Sequence, residues 1–162
     1  MPEFPGLINI THIGEGAFGQ IYKGFHKIEM KEYVVKQIKF TEKFTKEDAM
    51  NEAVILANLS DNPHENVIKY KDSYLKDNEI FIIMEYCAKG TLQQLIDEKK
   101  ISQKFPVDEQ IIKDILFSSL KALNHLHQLN IIHRDIKPTN IFLDESGKIK
   151  LGDLGVSRKL ID

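Results

Sequence analysis

The chain has 162 residues, enough for one ordinary domain with a real core. Lys plus Arg is 22 against 24 for Asp plus Glu, so the formal net charge of -2 gives no ground for nucleic acid or an anionic membrane as main partner. One cysteine excludes an internal disulfide, and the longest unbroken apolar run, Ile80 to Met84, is far too short to span a bilayer. The opening M-P-E-F-P-G puts an acid and two prolines where a signal peptide carries basic and then apolar residues, so a cytoplasmic protein is expected.

Residues 7 to 40 read as strands and turns: Leu7 to Ile10, a glycine cluster, Gln20 to Phe25, then Lys31 to Phe40. Gly14, Gly16 and Gly19 lie in the run G-E-G-A-F-G. The same spacing occurs in dinucleotide-binding folds, but those need a helix at once, whereas Gly24 and a strand follow here. Glycines in a strand-turn-strand let backbone N–H groups approach a phosphate; an ordinary glycine-rich hairpin is the plain alternative.

Two-residue alternation puts Val34, Lys36, Ile38 and Phe40 on one strand face. A lysine amid an apolar face needs an anion, unless it lies at an edge and reaches solvent. The next helix supplies candidates. Thr45 can cap it with Asp48 returning the bond, and Ala49, Glu52, Leu56 and Leu59 form one stripe. Glu52 interrupts that apolar stripe and is the expected partner of Lys36; Glu47 is the rival with less apolar neighbours.

The polar loop Ser60 to Asn66 contains the helix-stopping Pro63. Val67 to Tyr74 and Glu79 to Glu85 read as two further strands joined by Lys76-Asp77-Asn78. A bend at 87–90 precedes a short helix, Thr91 to Lys100. A boundary near here separates domains 7–87 and 88–162. Asp108 to Leu129 is the clearest helix, with a stripe of Ile112, Leu116, Leu120 and Leu123. His125 and His127 diverge on a helix and cannot share a metal as residues four apart do.

The run Ile131 to Leu143 reads I-I-H-R-D-I-K-P-T-N-I-F-L. Apolar residues at both ends read as short buried strands, and Pro138 opposes a continuing helix. Between them sits concentrated polar chemistry, as expected of a catalytic loop held by apolar structure. Asp144 to Gly147 reads as a hairpin turn. On the returning strand Ile149, Leu151 and Asp153 share a face, so a carboxylate ends a buried edge. Asn140 and Asp153 oxygens together suit Mg²⁺, which takes few protein ligands plus phosphate.

The glycine-rich hairpin, strand lysine, helix acid, H-R-D loop and D-x-G stand in the order found in protein kinases. The whole chain resembles the first part of a eukaryotic protein kinase domain. Within that family it is similar to the NIMA-related serine/threonine kinases through Tyr33-Val34-Val35-Lys36, Glu52 to Asn58, Met84-Glu85-Tyr86-Cys87 and Asn140 to Leu143. The resemblance implies an α+β fold: an antiparallel-sheet N-lobe with one main helix, and an incomplete, mostly helical C-lobe.

It also implies roles. Gly14, Glu15, Gly16, Ala17, Phe18 and Gly19 would cover the phosphates of ATP, with Ile13, Ile21 and Val34 in the same binding set. Lys36 would hold the α- and β-phosphates and Glu52 would position it. Glu85 and Cys87 would offer backbone hydrogen bonds to adenine, with Met84 behind. Asp135 would accept the substrate hydroxyl's proton, Lys137 would contact the γ-phosphate, and Asn140 and Asp153 would hold Mg²⁺. The partner would be a protein with a Ser or Thr acceptor. Family analogy adds a cytoskeletal or nuclear location as an option.

The resembling region differs at Val34, where alanine is usual, and at Asp153-Leu154-Gly155, where the middle residue is usually Phe. No activation loop or A-P-E segment follows, so a truncated kinase is expected, with Arg134 lacking a phosphate to meet and the stripe of helix 108–129 exposed. The competing reading is a catalytically inactive nucleotide-binding or interaction module derived from a kinase. A dinucleotide-binding oxidoreductase fails for want of the required helix.

Overall fold

A computed structural model describes residues 4–16, 19–42, 45–101 and 108–160. Backbone contacts divide the chain into two units, one of residues 1–61 and 69–86, the other of 62–68 and 87–162.

The first unit is a five-stranded antiparallel sheet with one helix. Its strands are β1 (Leu7–Gly16), β2 (Gly19–His26), β3 (Lys31–Lys39), β4 (Tyr70–Lys76) and β5 (Glu79–Glu85), in spatial order β1-β2-β3-β5-β4. β5 lies between β3 and β4, and its run Ile80 to Ile83 is buried throughout, which accounts for its lack of alternation. On one side Phe4, Leu7, Tyr33, Val35, Phe81 and Ile83 form a core cluster. Helix α1 (Lys46–Asp61) contacts β4 and β5 and buries Ala49, Glu52, Ala53, Ile55, Leu56 and Leu59. Its start is the expected capping box. Thr45 Oγ1 accepts from the Asp48 N–H at 3.2 Å, and Asp48 Oδ2 accepts from the Thr45 N–H at 3.0 Å.

Several boundaries differ from the sequence reading, two of them by three residues or more at a strand end. β1 runs on to Gly16 rather than stopping at Ile10, because backbone pairing with β2 needs no side chains and passes through the glycines. β4 begins at Tyr70, not Val67. Val67 and Ile68 belong to the second unit, where Val67 bridges Leu151 and the Ile68 N–H donates to the Leu151 carbonyl at 2.8 Å.

Gly19 shows why its position admits no side chain. A Cβ there would lie 1.7 Å from the Gln37 carbonyl oxygen on β3. Gly19→Ala is therefore expected to displace β3 and cost about 1–3 kcal/mol in urea unfolding, and an unchanged midpoint would contradict this close approach.

The second unit contains α2 (Leu92–Ile101), α3 (Glu109–Gln128) and four short strands, β6 (Ile131–Ile132), β7 (Ile141–Leu143), β8 (Ile149–Leu151) and β9 (Arg158–Lys159). β6 pairs with β9 and β7 with β8. Asp108 caps α3, accepting from the Gln110 N–H at 2.7 Å. Ala122 and Leu126 bury the helix's second half, whereas Ile112, Leu116 and Leu120 stay about half exposed at 53%, 54% and 51%. Three residues of the expected stripe are thus exposed, while the fourth, Leu123, is half-buried.

His125, which diverges from His127 on the helix, stacks on His64 with ring centroids 4.9 Å apart, and its Nε2–H donates to the Asn62 carbonyl. Desolvation pushes the His64 pKa down, with the neighbouring His125 and Lys121 acting in the same direction. A depressed imidazole stabilises the fold above its ordinary value of about 6.5, and that stability is lost as pH falls through the lowered folded value. Urea unfolding is expected to show lower stability at pH 5.5 than at 7.5, with a smaller difference in His64→Asn. An equal difference in the variant would remove His64 from the cause.

Candidate active site

In the first unit, alternation along β3 puts Lys36 on the face it shares with buried Ile38, opposite Tyr33 and Val35, and the stripe of α1 turns Glu52 inward. The two meet. Lys36 Nζ donates to Glu52 Oε1 at 2.8 Å and to Oε2 at 2.9 Å, with the side chains 5% and 1% exposed. Both carboxylate oxygens are engaged, which is how a buried ion pair offsets the desolvation of its members. Glu47, the rival acid, is exposed. Glycines 14, 16 and 19 sit on paired strands β1 and β2, with Gly16 opposite Gly19. Ile13 and Glu15 are on β1, Ile21 faces Gly14 on β2, and Val34 pairs with Met84 of β5. Ala17 and Phe18 lie outside the described residues. The Glu85 N–H donates to the Lys69 carbonyl at 2.9 Å, at the end of β5.

In the second unit the polar loop follows β6 and closes in a 3-10 turn, Pro138–Asn140, with proline at the position where a missing N–H does no harm. Asp135, Lys137 and Asn140 come together there. Lys137 Nζ lies 2.8 Å from Asp135 Oδ2, and Asn140 Nδ2 donates to that oxygen and to the Asp135 carbonyl, each at 2.9 Å. The Lys137 bond, partly opposed by desolvation and helped by Asn140, holds the Asp135 carboxyl below the usual carboxylate range. Asp135 raises Lys137 in return, and the nearby Asp153 charge adds to it. The loop thus keeps a carboxylate ionised beside a protonated amine.

His133 carries a role that was not assigned from sequence. It is buried, its Nε2–H donates to the Gly152 carbonyl at 3.0 Å, and its Nδ1 accepts from the Asp135 N–H at 3.3 Å. One ring proton satisfies both bonds, and desolvation, the largest cause, lowers the pKa and keeps the ring neutral. The Gly152 N–H donates to the Asn140 carbonyl, and buried Ser157 donates to the His133 carbonyl at 3.1 Å. β8 ends at Leu151, so Asp153 does not share the strand's buried face as the alternation suggested; it follows Gly152 in the left-handed region at φ 56°. Arg134, also left-handed at φ 67°, donates from Nε to the Val156 carbonyl. Cys87 is buried, and its carbonyl accepts from the Gly90 N–H in the bend before α2.

The donor set fits a hard cation that keeps water and phosphate ligands. Asn140 spends its amide N–H groups on Asp135, turning its oxygen the other way, and Asp153 would add a carboxylate. Among the described residues there is no group of three or more His, Cys, Asp and Glu side chains placed to hold a metal, so no all-protein cage is built. No helix among them is long and apolar enough to cross a membrane.

A sequence model described as "Protein kinase domain" matches residues 7–162. The chain is 41% identical over 148 residues to serine/threonine-protein kinase dst2 of Dictyostelium discoideum, covering 91% of this chain and 12% of that protein. It is 40% identical over 154 residues to serine/threonine-protein kinase Nek5 of Mus musculus, covering 94% of this chain and 23% of that protein. Nek1 of Mus musculus is 35% identical over 155 residues, 94% of this chain and 12% of that protein. The chain therefore spans less than a quarter of the length of each of these relatives. The NIMA-related resemblance read from the sequence agrees with the two Nek relatives. With the antiparallel sheet, the buried Lys36–Glu52 pair and the Asp135 loop in place, this chain belongs to the protein kinase domain family.

Proposed function

We propose that the chain catalyses transfer of the γ-phosphoryl group of ATP, with Mg²⁺, to serine or threonine hydroxyls of proteins. One observation carries the reading: Asp135 holds its carboxylate within 2.8 Å of the Lys137 ammonium on one loop, braced by Asn140. Asp135 accepts the hydroxyl proton, and Lys137 offers positive charge to the transferring phosphoryl group. Asn140 and Asp153 would hold Mg²⁺, which would neutralise phosphate charge when bound. Lys36, oriented by both oxygens of Glu52, contacts the α- and β-phosphates. Gly14, Gly16 and Gly19 let backbone approach the phosphates, while Val34, Met84, Glu85 and Cys87 serve the adenine ring.

Label transfer from γ-labelled ATP to a generic basic protein tests this directly. The full chain is expected to transfer label and Asp135→Asn to leave only background. Equal background from both would favour the inactive nucleotide-binding module instead.

A further inference from the structure

Three side chains on the β1–β2 hairpin form a relay. Gln20 Nε2 donates to Glu15 Oε1 at 3.0 Å, and Gln20 Oε1 lies 2.5 Å from His12 Nε2. An amide that turns its N–H groups to a carboxylate presents its oxygen elsewhere, so His12 is the donor at Nε2. Tyr22 holds the His12 ring edge-on, with centroids 5.4 Å apart.

The relay depends on a bulge. In a regular strand, residues 12 and 15 point to opposite faces. Here His12 faces Tyr22, Gly14 faces Ile21 and Glu15 faces Gln20, leaving Ile13 as an extra residue between the first two pairs. Tyr22 and Gln20 share a face, so the extra residue carries His12 and Glu15 to that same face. The next pair towards the turn is Gly16 with Gly19, which has no side chains to join. Glu15 and Gln20 are thus the last described cross-strand side-chain tie before the glycine-rich turn, in a hairpin that its glycines would otherwise loosen.

We propose that the His12–Gln20–Glu15 relay is a positioning clamp that fixes the glycine-bearing hairpin and thereby sets affinity for the polyphosphate of a nucleoside triphosphate. His12 and Gln20 act through the backbone of Gly14, Gly16 and Gly19 rather than by touching phosphate. The inference rests on the function proposed above. Its ingredients are separate: a bulge, a cross-strand amide and a ring held by Tyr22.

Amide hydrogen exchange and calorimetric titration with Mg-ATP, both on the full chain, test it. Gln20→Val is expected to speed exchange at residues 14–16 and 19–21 and to weaken Mg-ATP binding roughly threefold to tenfold, without moving the nucleotide-free thermal midpoint. His12→Ala should act in the same direction, and His12→Gln, which restores a donor of similar reach, should bind within about twofold of the unaltered chain. Unchanged exchange in Gln20→Val overturns the clamp. Faster exchange with unchanged affinity overturns its positioning role while leaving the proposed function standing. Failure of the unaltered chain to bind Mg-ATP overturns that function, and the inference with it.

Discussion

Glu52→Ala is expected to lower stability by about 3–5 kcal/mol, because it leaves the buried Lys36 ammonium without the carboxylate that now engages it through both oxygens. For a chain of this size that is a fall of roughly 6–20 °C in thermal midpoint. The double variant Lys36→Met/Glu52→Leu removes both charges and keeps apolar bulk, so it should regain most of the loss while remaining inactive in label transfer. A contrast within the same unit isolates burial as the cause. Lys23 Nζ and Glu32 Oε1 are also 2.8 Å apart, but their side chains are 29% and 45% exposed. Glu32→Ala should therefore cost no more than about 1 kcal/mol. Calorimetric scans of the four proteins decide the matter, and equal losses at Glu32 and Glu52 would sink the burial argument.

Asp135→Asn is expected to reduce phosphoryl transfer by roughly 10²–10⁴-fold, the range associated with loss of a general base, with Mg-ATP binding little changed. Lys137→Met separates the charge effect from the base. The Lys137 bond is the first cause of the lowered Asp135 pKa, so its removal lets that pKa rise toward the ordinary carboxylate value. The base works only when ionised. Activity in the original chain should therefore persist as pH falls below the usual carboxylate range, and its acid limb should move to higher pH in Lys137→Met. A limb that stays put would mean that Asp135 does not set it.

The parts of the site legible in the sequence were those governed by local period. Two-residue alternation turned Lys36 inward, the α1 stripe did the same for Glu52, and apolar ends marked the loop carrying Asp135. The parts not legible depend on backbone geometry or on distant packing. Straight alternation cannot reveal an extra residue at Ile13, so His12 and Glu15 gave no sign of sharing a face. Val67 has a strand composition but pairs with Leu151, a choice that only tertiary contacts make. The His64–His125 stack joins residues 61 positions apart, beyond any periodic signal. His133 was visible as a motif letter, but its neutral state and its two bonds follow from burial.

Arg134 and Asp153 both hold left-handed backbone without being glycine, a conformation that costs about 1–3 kcal/mol per residue. What retains them is a set of crossties: Ile132 paired with Arg158, Ser157 on the His133 carbonyl, His133 on Gly152 and Gly152 on Asn140. Relaxing either twisted residue means breaking ties shared with the other. The two segments should consequently behave as a single latch, releasing their protons to solvent at one common rate rather than fraying one after the other.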